Sequence, residues 1–203
     1  MVIDSLIHAR IAKFKNDLPT LDNSTLVRKY ITFGDSYLLD EEQHFSLRVM
    51  ISKQFEIHPS EVLVVGSAKM GFSIAENKRY RPFNDRSDID IAIISEDLFN
   101  KIWRLVFDFW EENENTDSIV YWAKENHFKD YLFRGWIRPD KLPPASKFDL
   151  SKRWWEFFRK LTNEGSYGPY KISAGLYKSW YYLERYQSIC IKQCKQDLGA
   201  SLL

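Results

Sequence analysis

Two aspartates separated by one residue, Asp88 and Asp90, stand beside a run of branched apolar residues, 89–94. The alternation predicts a strand, in which residues two apart share a face and lie about 7 Å apart along the chain. Two carboxylates at this spacing repel each other, and a shared cation relieves the repulsion. Hard oxygen ligands suit Mg²⁺ or Mn²⁺, which keep several waters and also bind substrate phosphates. The pair therefore predicts a metal site, and the solvated face of an edge strand is the alternative.

A glycine and a serine, Gly66 and Ser67, follow a second branched run, 62–65. This run predicts a buried strand, because it is short and lies between Pro59 and the glycine. Glycine permits a sharp turn, and Ser67 is suited to cap a helix that starts at Ala68. Free backbone N–H groups at a helix start, together with the hydroxyl, predict a binding site for phosphate. An ordinary turn between a strand and a helix is the alternative.

A dense group of cations lies between the turn and the aspartates. Its members are Lys69, directly after the turn, and Lys78, Arg79, Arg81 and Arg86 in the following loop. Arginine can bind phosphate oxygens through two parallel hydrogen bonds, so the group is suited to a triphosphate or an anionic acceptor. We predict that Lys69 and Arg86 bind nucleotide together with Gly66 and Ser67. A solvated surface loop is the other interpretation, since the loop holds a proline and an Asn-Asp pair.

The turn and the acidic strand together resemble the signature of the polymerase β-like nucleotidyltransferase superfamily. The resemblance rests on Val65-Gly66-Ser67 and Asp88-Ile89-Asp90-Ile91, and covers roughly residues 61–95. It implies that the Gly-Ser turn holds the triphosphate, and that the two aspartates are catalytic and bind Mg²⁺ or Mn²⁺. The implied reaction moves a nucleoside monophosphate from an NTP, expected to be ATP, to a hydroxyl of an RNA end, a protein side chain or a nucleotide. Small members of this superfamily act in toxin–antitoxin and phage-defence settings, so the resemblance also implies antiviral defence.

A third metal-binding acid comes from a later strand in the resembled superfamily. Asp149 imitates the apolar-acid-apolar pattern of that strand, although its place before a helix also suits an N-cap. Asp140 and Glu164 are further candidates. If none of these acids approaches the pair, Lys171 or Ser173 lines the equivalent strand, and metal binding rests on Asp88 and Asp90 alone.

Composition limits the partners and the compartment. The 203 residues carry a net charge of +1, so no global field draws the chain to nucleic acid, and such binding has to be local. The only two cysteines, Cys190 and Cys194, indicate no disulfide framework and suit a reducing cytosol. No apolar run approaches the length of about 18 residues that a membrane span needs. We therefore expect a cytoplasmic protein without a membrane partner.

The elements around the two motifs predict an α+β fold, in which helices cover a small mixed sheet and the C-terminal part is helical. Helical spacing of apolar residues covers 2–15, 41–55, 98–110, 119–132, 152–161 and 176–195, and a last strand covers 170–174. A predicted break over residues 134–140, followed by Pro143 and Pro144, divides the chain into a nucleotidyltransferase core with N-terminal helices, 1–140, and a C-terminal part, 141–203. We expect the two parts to pack as one unit.

The helix at 152–161 carries Trp154, Trp155, Phe157 and Phe158 among basic residues. It presents an aromatic and cationic face to an RNA or protein partner, or it is a buried helix with a solvated basic side. Three functions follow from the sequence as a whole. The first is a metal-dependent nucleotidyltransferase, and the second is a module of the same fold that binds a nucleotide or partner without turnover. The third is an interaction protein built on aromatic helices; the oligomeric state stays open.

Overall fold

The computed structural model describes residues 2–200, and their side chains from residue 5 to residue 199. The described helices are α1 (Val2–Asp17), α2 (Asn23–Val27), α3 (Glu41–Phe55), α4 (Gly66–Met70), α5 (Glu96–Asn113), α6 (Asp117–Glu125), α7 (Phe128–Phe133), α8 (Asp149–Asn163) and α9 (Trp180–Ala200). The described strands are β1 (Val62–Val65), β2 (Ile89–Ile94), β3 (Trp136–Ile137) and β4 (Ile172–Tyr177).

The strands form one mixed sheet in the order β1-β2-β4-β3. Strand β2 pairs antiparallel with β1 and parallel with β4, and β3 pairs antiparallel with β4. The almost continuous apolar sequence of β2 suits its place inside the sheet, because a strand covered on both faces has no polar face. The predicted α+β fold, with a small mixed sheet, covering helices and a helix at the C-terminal end of the described chain, is confirmed.

Alternate residues of β2 pack into two hydrophobic cores on opposite faces of the sheet. Ile89 and Ile93 belong to a core that also contains residues of α3, α5 and α8. Ala92 and Ile94 belong to a second core, with residues of α1, α2 and α9. The two-residue period of a strand sets this division. Asp90 lies on the same face as the second core, but it is near the start of the strand, where its side chain is exposed.

Two helices that flank the motif strands are capped by the side chains that precede them; α3 begins at the expected residue, Glu41, and α5 begins at Glu96, two residues before the expected start. Asp40 precedes α3, and its carboxylate accepts a hydrogen bond of 2.8 Å from the backbone N–H of Gln43. Ser95 precedes α5, and its hydroxyl accepts a bond of 3.5 Å from the backbone N–H of Leu98. Such caps satisfy amide donors that have no partner within the helix. The first helix delivers the chain to β1, and the second returns it from the end of β2.

Several boundaries differ from the prediction. The expected helix at 119–132 is two helices, because His127 adopts a left-handed conformation with a φ of 57° between α6 and α7. The last strand continues to Tyr177, so α9 begins at Trp180 and not at Leu176. The segment expected to be a break contains β3, which is only two residues long. A strand of this length has too few residues to show an alternation in the sequence.

The C-terminal part, 141–203, contributes β4 to the sheet in addition to its helices. Strand β4 lies between β2 and β3, both of which come from the preceding part of the chain. One sheet therefore contains residues from both sides of the expected boundary. No helix among residues 2–200 has the length and apolar character needed to cross a lipid bilayer.

Candidate active site

A cavity of about 620 Å³ lies where β1 ends and β2 and β4 begin. Five of the six residues predicted to form the site line this cavity. These are Gly66, Ser67, Arg86, Asp88 and Asp90. The structure thus brings together two motifs that are about twenty residues apart in the chain. Antiparallel pairing of β1 and β2 is the reason, because it places Val65, the residue before the turn, directly opposite Asp90.

Gly66 approaches the Asp90 carboxylate closely. Its φ is +66°, and a Cβ at this position would lie 2.8 Å from Oδ2 of Asp90. Residues with a side chain rarely adopt this backbone conformation. Glycine therefore serves two purposes here, the turn out of β1 and the space for the carboxylate.

Ser67 does not cap α4, contrary to the prediction. The helix begins two residues earlier than expected, at Gly66, and Val65 occupies the capping position without a side-chain hydrogen bond. The Ser67 hydroxyl forms no hydrogen bond with any residue in the described part of the chain, and it lines the cavity. It therefore has its full hydrogen-bonding capacity for a ligand.

Asp88 and Asp90 form the acidic part of the cavity. Strand β2 begins at Ile89, so Asp88 directly precedes the strand instead of lying within it, and both carboxylates still line the cavity. The pKa of Asp90 is raised to about 6. Desolvation by the surrounding protein is the main cause, and the negative charge of Asp88 contributes to the same shift. Lys78, Ser173 and Lys171 act in the opposite direction. The side chain is open to the cavity, but the cavity walls replace much of the water around it.

No acid stands beside Asp90 on the neighbouring strand. Strand β4 pairs with β2 so that Ser173 lies directly beside Asp90, and the interaction of its hydroxyl with the carboxylate lowers the pKa of Asp90. Lys171 also lines the cavity, and its carbonyl accepts a hydrogen bond of 2.8 Å from the amide of Ile89. Within residues 2–200 there is no group of three or more His, Cys, Asp or Glu side chains suited to one metal ion.

Each of the three acids considered for the third position is paired with a basic side chain. Asp149 is the first residue of α8, is exposed, and pairs with Arg153 at 2.8 Å. Asp149 does not line the cavity, so it is not the third acid. It does not form the alternative N-cap either, because Phe148 occupies that position. Glu164 lies 4.0 Å from Lys160 at the other end of α8. Asp140 does line the cavity, but it is paired with Arg138 at 3.0 Å.

Four cations line the same cavity and form no salt bridge with any described residue. They are Lys78, Arg81, Arg86 and Lys171. Arg79, in the same loop, instead turns away from the cavity, is nearly buried, and forms a salt bridge with Asp197. Backbone hydrogen bonds fold the loop back on itself, from Ser73 to Arg81 at 2.9 Å and from Tyr80 to Ser73 at 2.7 Å. The loop is therefore a hydrogen-bonded hairpin-like segment that presents cations to the aspartates.

Lys69 is the predicted site residue that the structure places elsewhere. It lies two positions after Ser67 in α4, and residues two apart point to different sides of a helix. Its side chain is buried, lines a second cavity and donates a hydrogen bond to the carbonyl of Gly34. It does not line the cavity of Asp88 and Asp90, so the assignment of Lys69 to that nucleotide site is wrong.

Helix α8 contributes aromatic residues to the lining of the first cavity. Trp154, Trp155 and Phe158 all line it, but Trp154 and Phe158 are almost fully buried and belong to the core, whereas Trp155 is 40% exposed. The alternative of a buried helix therefore holds for Trp154 and Phe158, and Trp155 is the ring of this helix with the most surface open to a ligand.

Sequence reasoning missed the aromatic and cationic wall contributed by β3 and its neighbours. Trp136 stacks on Tyr177 with ring centroids 5.3 Å apart, and Arg138 lies over the Trp136 ring at 5.2 Å. Trp136, Arg138 and Tyr177 all line the cavity, as does Tyr186 of α9. The sequence predicts a break at the Arg-Gly-Trp-Ile-Arg-Pro segment. The placement of Trp136 and Arg138 two residues apart is the signal in the sequence that could have indicated a short strand with both side chains on one face.

Comparisons of the chain with protein-family models, curated proteins and solved structures found no match.

Proposed function

We propose that the chain is a metal-dependent nucleotidyltransferase of the polymerase β-like type, which transfers a nucleoside monophosphate from an NTP, expected to be ATP, to a hydroxyl. The observation that supports this proposal is the convergence of Ser67, Asp88 and Asp90 with unpaired cations in one cavity. A hydroxyl and several cations suit phosphate oxygens, and two adjacent carboxylates suit a divalent cation. The two free cysteines are compatible with the reducing cytoplasm as the place of action.

Asp88 and Asp90 are the residues that would hold Mg²⁺ or Mn²⁺. They fit a divalent cation because the charge of Asp88 raises the pKa of Asp90, and neither forms a salt bridge with a residue in the described range. A bound cation would remove this repulsion. When bound, the metal supplies charge neutralisation of the triphosphate and polarisation of the attacking hydroxyl. Ser173 lies beside Asp90 on the neighbouring strand and favours its charged form, the form that binds metal.

Phosphate binding falls to the hydroxyl of Ser67 and to the unpaired cations Arg86, Lys78, Arg81 and Lys171. Their positive charge exceeds the negative charge of the two aspartates, so the cavity attracts a polyphosphate even without metal. In the proposed reaction, a bond forms between the acceptor oxygen and the α-phosphorus, while the bond between that phosphorus and the β-phosphate oxygen breaks. Pyrophosphate then leaves with charge that these cations stabilise.

Trp155 provides a surface for the nucleobase. Its exposed ring lines the cavity together with the phosphate-binding residues, and no other described aromatic ring stacks on it. Every base has a face that can stack on an indole ring, so this contact supplies affinity without selecting a base.

A module that binds nucleotide without turnover is the second candidate, and one observation favours it. Ser173 occupies the position beside Asp90 where the resembled enzymes carry a third acid. A serine contributes no negative charge to a metal site, so a second metal ion would be held less tightly than by three carboxylates.

An α-³²P-labelled NTP assay separates the two candidates. The protein is incubated with each NTP, with Mg²⁺ or Mn²⁺, and with tRNA or protein acceptors, beside the variants Asp88→Ala and Asp90→Ala. Asp149→Ala is the matched control, since it removes an exposed aspartate outside the cavity. Label transfer that is lost in both site variants and kept in the control supports the enzyme. Metal-dependent NTP binding without transfer supports the binding module, and the absence of both activities contradicts both candidates.

A further inference from the structure

A second cavity, of about 320 Å³, shares helix α4 with the candidate active site. Ser67 of this helix lines the first cavity, whereas Lys69 and Met70 line the second. The remaining wall comes from α1 and from the segment that follows α2, including the residues 33–36. A volume of this size corresponds to roughly ten water molecules at liquid density, which is larger than a single phosphate group needs.

Lys69 is buried and forms no salt bridge with a described residue, although the charge of Asp35 acts on it from a distance. Only 2% of the residue is exposed, and its ammonium donates to the carbonyl of Gly34 and forms no salt bridge with any residue described by the structure. An ammonium has three N–H donors, so one carbonyl leaves two of them for another partner. A buried charge without a partner is costly, and buried ammonium groups are generally paired. Desolvation lowers the pKa of Lys69 and the charge of Arg10 lowers it too, whereas the charge of Asp35 opposes the shift, as a bound anion also would.

The other charged residues of this cavity are mainly cations. Arg10, Lys13 and Lys29 line it, and Asp35 is the only acid among its described lining residues. Lys29 is paired with Asp17, which lies outside the cavity lining, at 2.6 Å. Arg10 is half-buried, donates from Nε to the carbonyl of Met70 at 3.1 Å, and forms no carboxylate pair in the described chain. Its guanidinium keeps its charge at any physiological pH, so the positive potential does not disappear by deprotonation.

We propose that this second cavity binds a phosphate-bearing anion through Lys69 and Arg10. The anion supplies the counterion that the buried ammonium lacks, and the guanidinium provides donors suited to phosphate oxygens. The cavity has room for more than the phosphate group itself, so the ligand class is a phosphate ester or a diphosphate rather than a halide. This inference does not depend on the nucleotidyltransferase proposal, because no residue of the first cavity takes part.

Anion binding at Lys69 also stabilises the helix that carries the Gly-Ser turn. The carbonyl of Lys69 accepts a hydrogen bond of 3.0 Å from the amide of Tyr37, and that of Ala68 accepts one of 3.1 Å from Leu38. The hydroxyl of Ser36 donates to the same Ala68 carbonyl at 2.9 Å. The wall of the second cavity is thus bonded directly to α4, and an occupied cavity restrains both.

Thermal unfolding in phosphate tests the proposal. The full chain is unfolded in sodium phosphate and in sodium chloride at the same pH and ionic strength, with intrinsic tryptophan fluorescence as the readout. Because a ligand stabilises the state that binds it, we expect Tm to rise with phosphate, by about 5–10 °C at a hundredfold excess over the Kd. Lys69→Met, which keeps the length and apolar volume of the side chain, should lose this rise, and Arg10→Gln should lose most of it.

Two control variants exclude other sources of the effect. Lys53→Met makes the same chemical change at an exposed position of α3, and Arg86→Gln removes a cation of the first cavity. Lys53→Met should keep the whole dependence of Tm on phosphate, whereas Arg86→Gln should lose only the share that comes from the first cavity and keep the share that Lys69→Met and Arg10→Gln lose. A full phosphate effect in Lys69→Met and Arg10→Gln, or none in the unaltered protein, overturns the proposal. If Lys69→Met does not unfold cooperatively in chloride, Arg10→Gln decides the question alone.

Discussion

Gly66 and the Asp90 carboxylate are in such close approach that a Cβ on residue 66 would lie 2.8 Å from Oδ2. The contact joins the turn after β1 to the acid on β2, across the first pair of the antiparallel ladder. It makes the position of the carboxylate depend on the absence of a side chain at residue 66. The first prediction follows from this relationship.

Gly66→Ala should lower both stability and nucleotide transfer. The left-handed conformation costs an alanine about 1 kcal/mol, and displacement of Asp90 by a fraction of an ångström should reduce transfer about 10- to 100-fold. Gly165→Ala is the matched control, because Gly165 has a φ of +69° and no atom within 4 Å of an added Cβ. Chemical denaturation should give similar losses for the two variants, and only Gly66→Ala should lose activity. Equal activities would contradict the role given to the contact.

Ser173→Asp should create a three-carboxylate metal site. An aspartate in this position lies beside Asp90 on the neighbouring strand, so it adds one negative charge to the pair. Without metal, the added repulsion should lower the free energy of unfolding, whereas the affinity for Mg²⁺ should rise about tenfold, equivalent to about 1.4 kcal/mol. Titration calorimetry with MgCl₂ measures this affinity. Ser173→Asn, similar in size but uncharged, should show no gain, and a gain in both variants would argue against the charge as its cause.

The raised pKa of Asp90 predicts a specific dependence of stability on pH. Since the folded pKa of about 6 lies above the ordinary value of 3.8, the folded state holds more protons than the unfolded state between these pH values. The contribution of Asp90 to the free energy of unfolding therefore falls as pH rises from about 4 to 6 and stays low above that range. Asp90→Asn should be more stable than the unaltered protein at pH 7, and the difference should shrink toward pH 4.

Direct titration of the carboxyl checks the cause of that shift. Carbon-13 NMR of the aspartate side chains should show Asp90 titrating near pH 6 in the metal-free protein. The pKa of Asp90 should decrease in Asp88→Asn, because the neighbouring charge is one of the two effects that raise it. A stability difference that is constant from pH 4 to pH 7 would contradict the assignment.

Trp155→Ala should weaken NTP binding without affecting the phosphate contacts. Loss of a stacked base costs about 1–3 kcal/mol, so the Kd for NTP should increase about 5- to 150-fold. The affinity for inorganic triphosphate should stay unchanged, and Trp155→Phe should recover much of the loss. Tyr121→Ala is the control, because this side chain is 70% exposed on α6 and lies outside the cavity lining. Equal losses for NTP and inorganic triphosphate would show that Trp155 acts on the phosphates or on the fold.

The parts of the site that the sequence predicts correctly are those with a local pattern. Gly66 follows a run of branched residues, and Asp90 interrupts another, so strand, turn and acid are recognisable within a few residues each. Lys69 lies only two residues after Ser67 in the sequence, but its side chain lines the second cavity and not the first. Direction around a helix, and not closeness in sequence, decides which cavity a side chain enters.

The remaining parts of the site depend on contacts between distant segments. The cavity wall of Trp136 and Arg138 forms only because the two-residue strand β3 pairs with β4, about forty residues later. Ser173 could be placed on a late strand from the sequence, but its register against Asp90 is a property of the parallel pairing. Neither a two-residue strand nor a register leaves a periodic signal in the chain.

The insertion of β4 between β2 and β3 has a consequence for synthesis of the protein on the ribosome. Until residues 172–177 have left the exit tunnel, β2 has one exposed edge, and Asp90 lacks its neighbour Ser173. An exposed strand edge is a template for pairing with other chains. The nascent polypeptide therefore completes its acidic pocket only after β4 has emerged, and until then the isoleucine-rich edge of β2 is open to pairing with other chains.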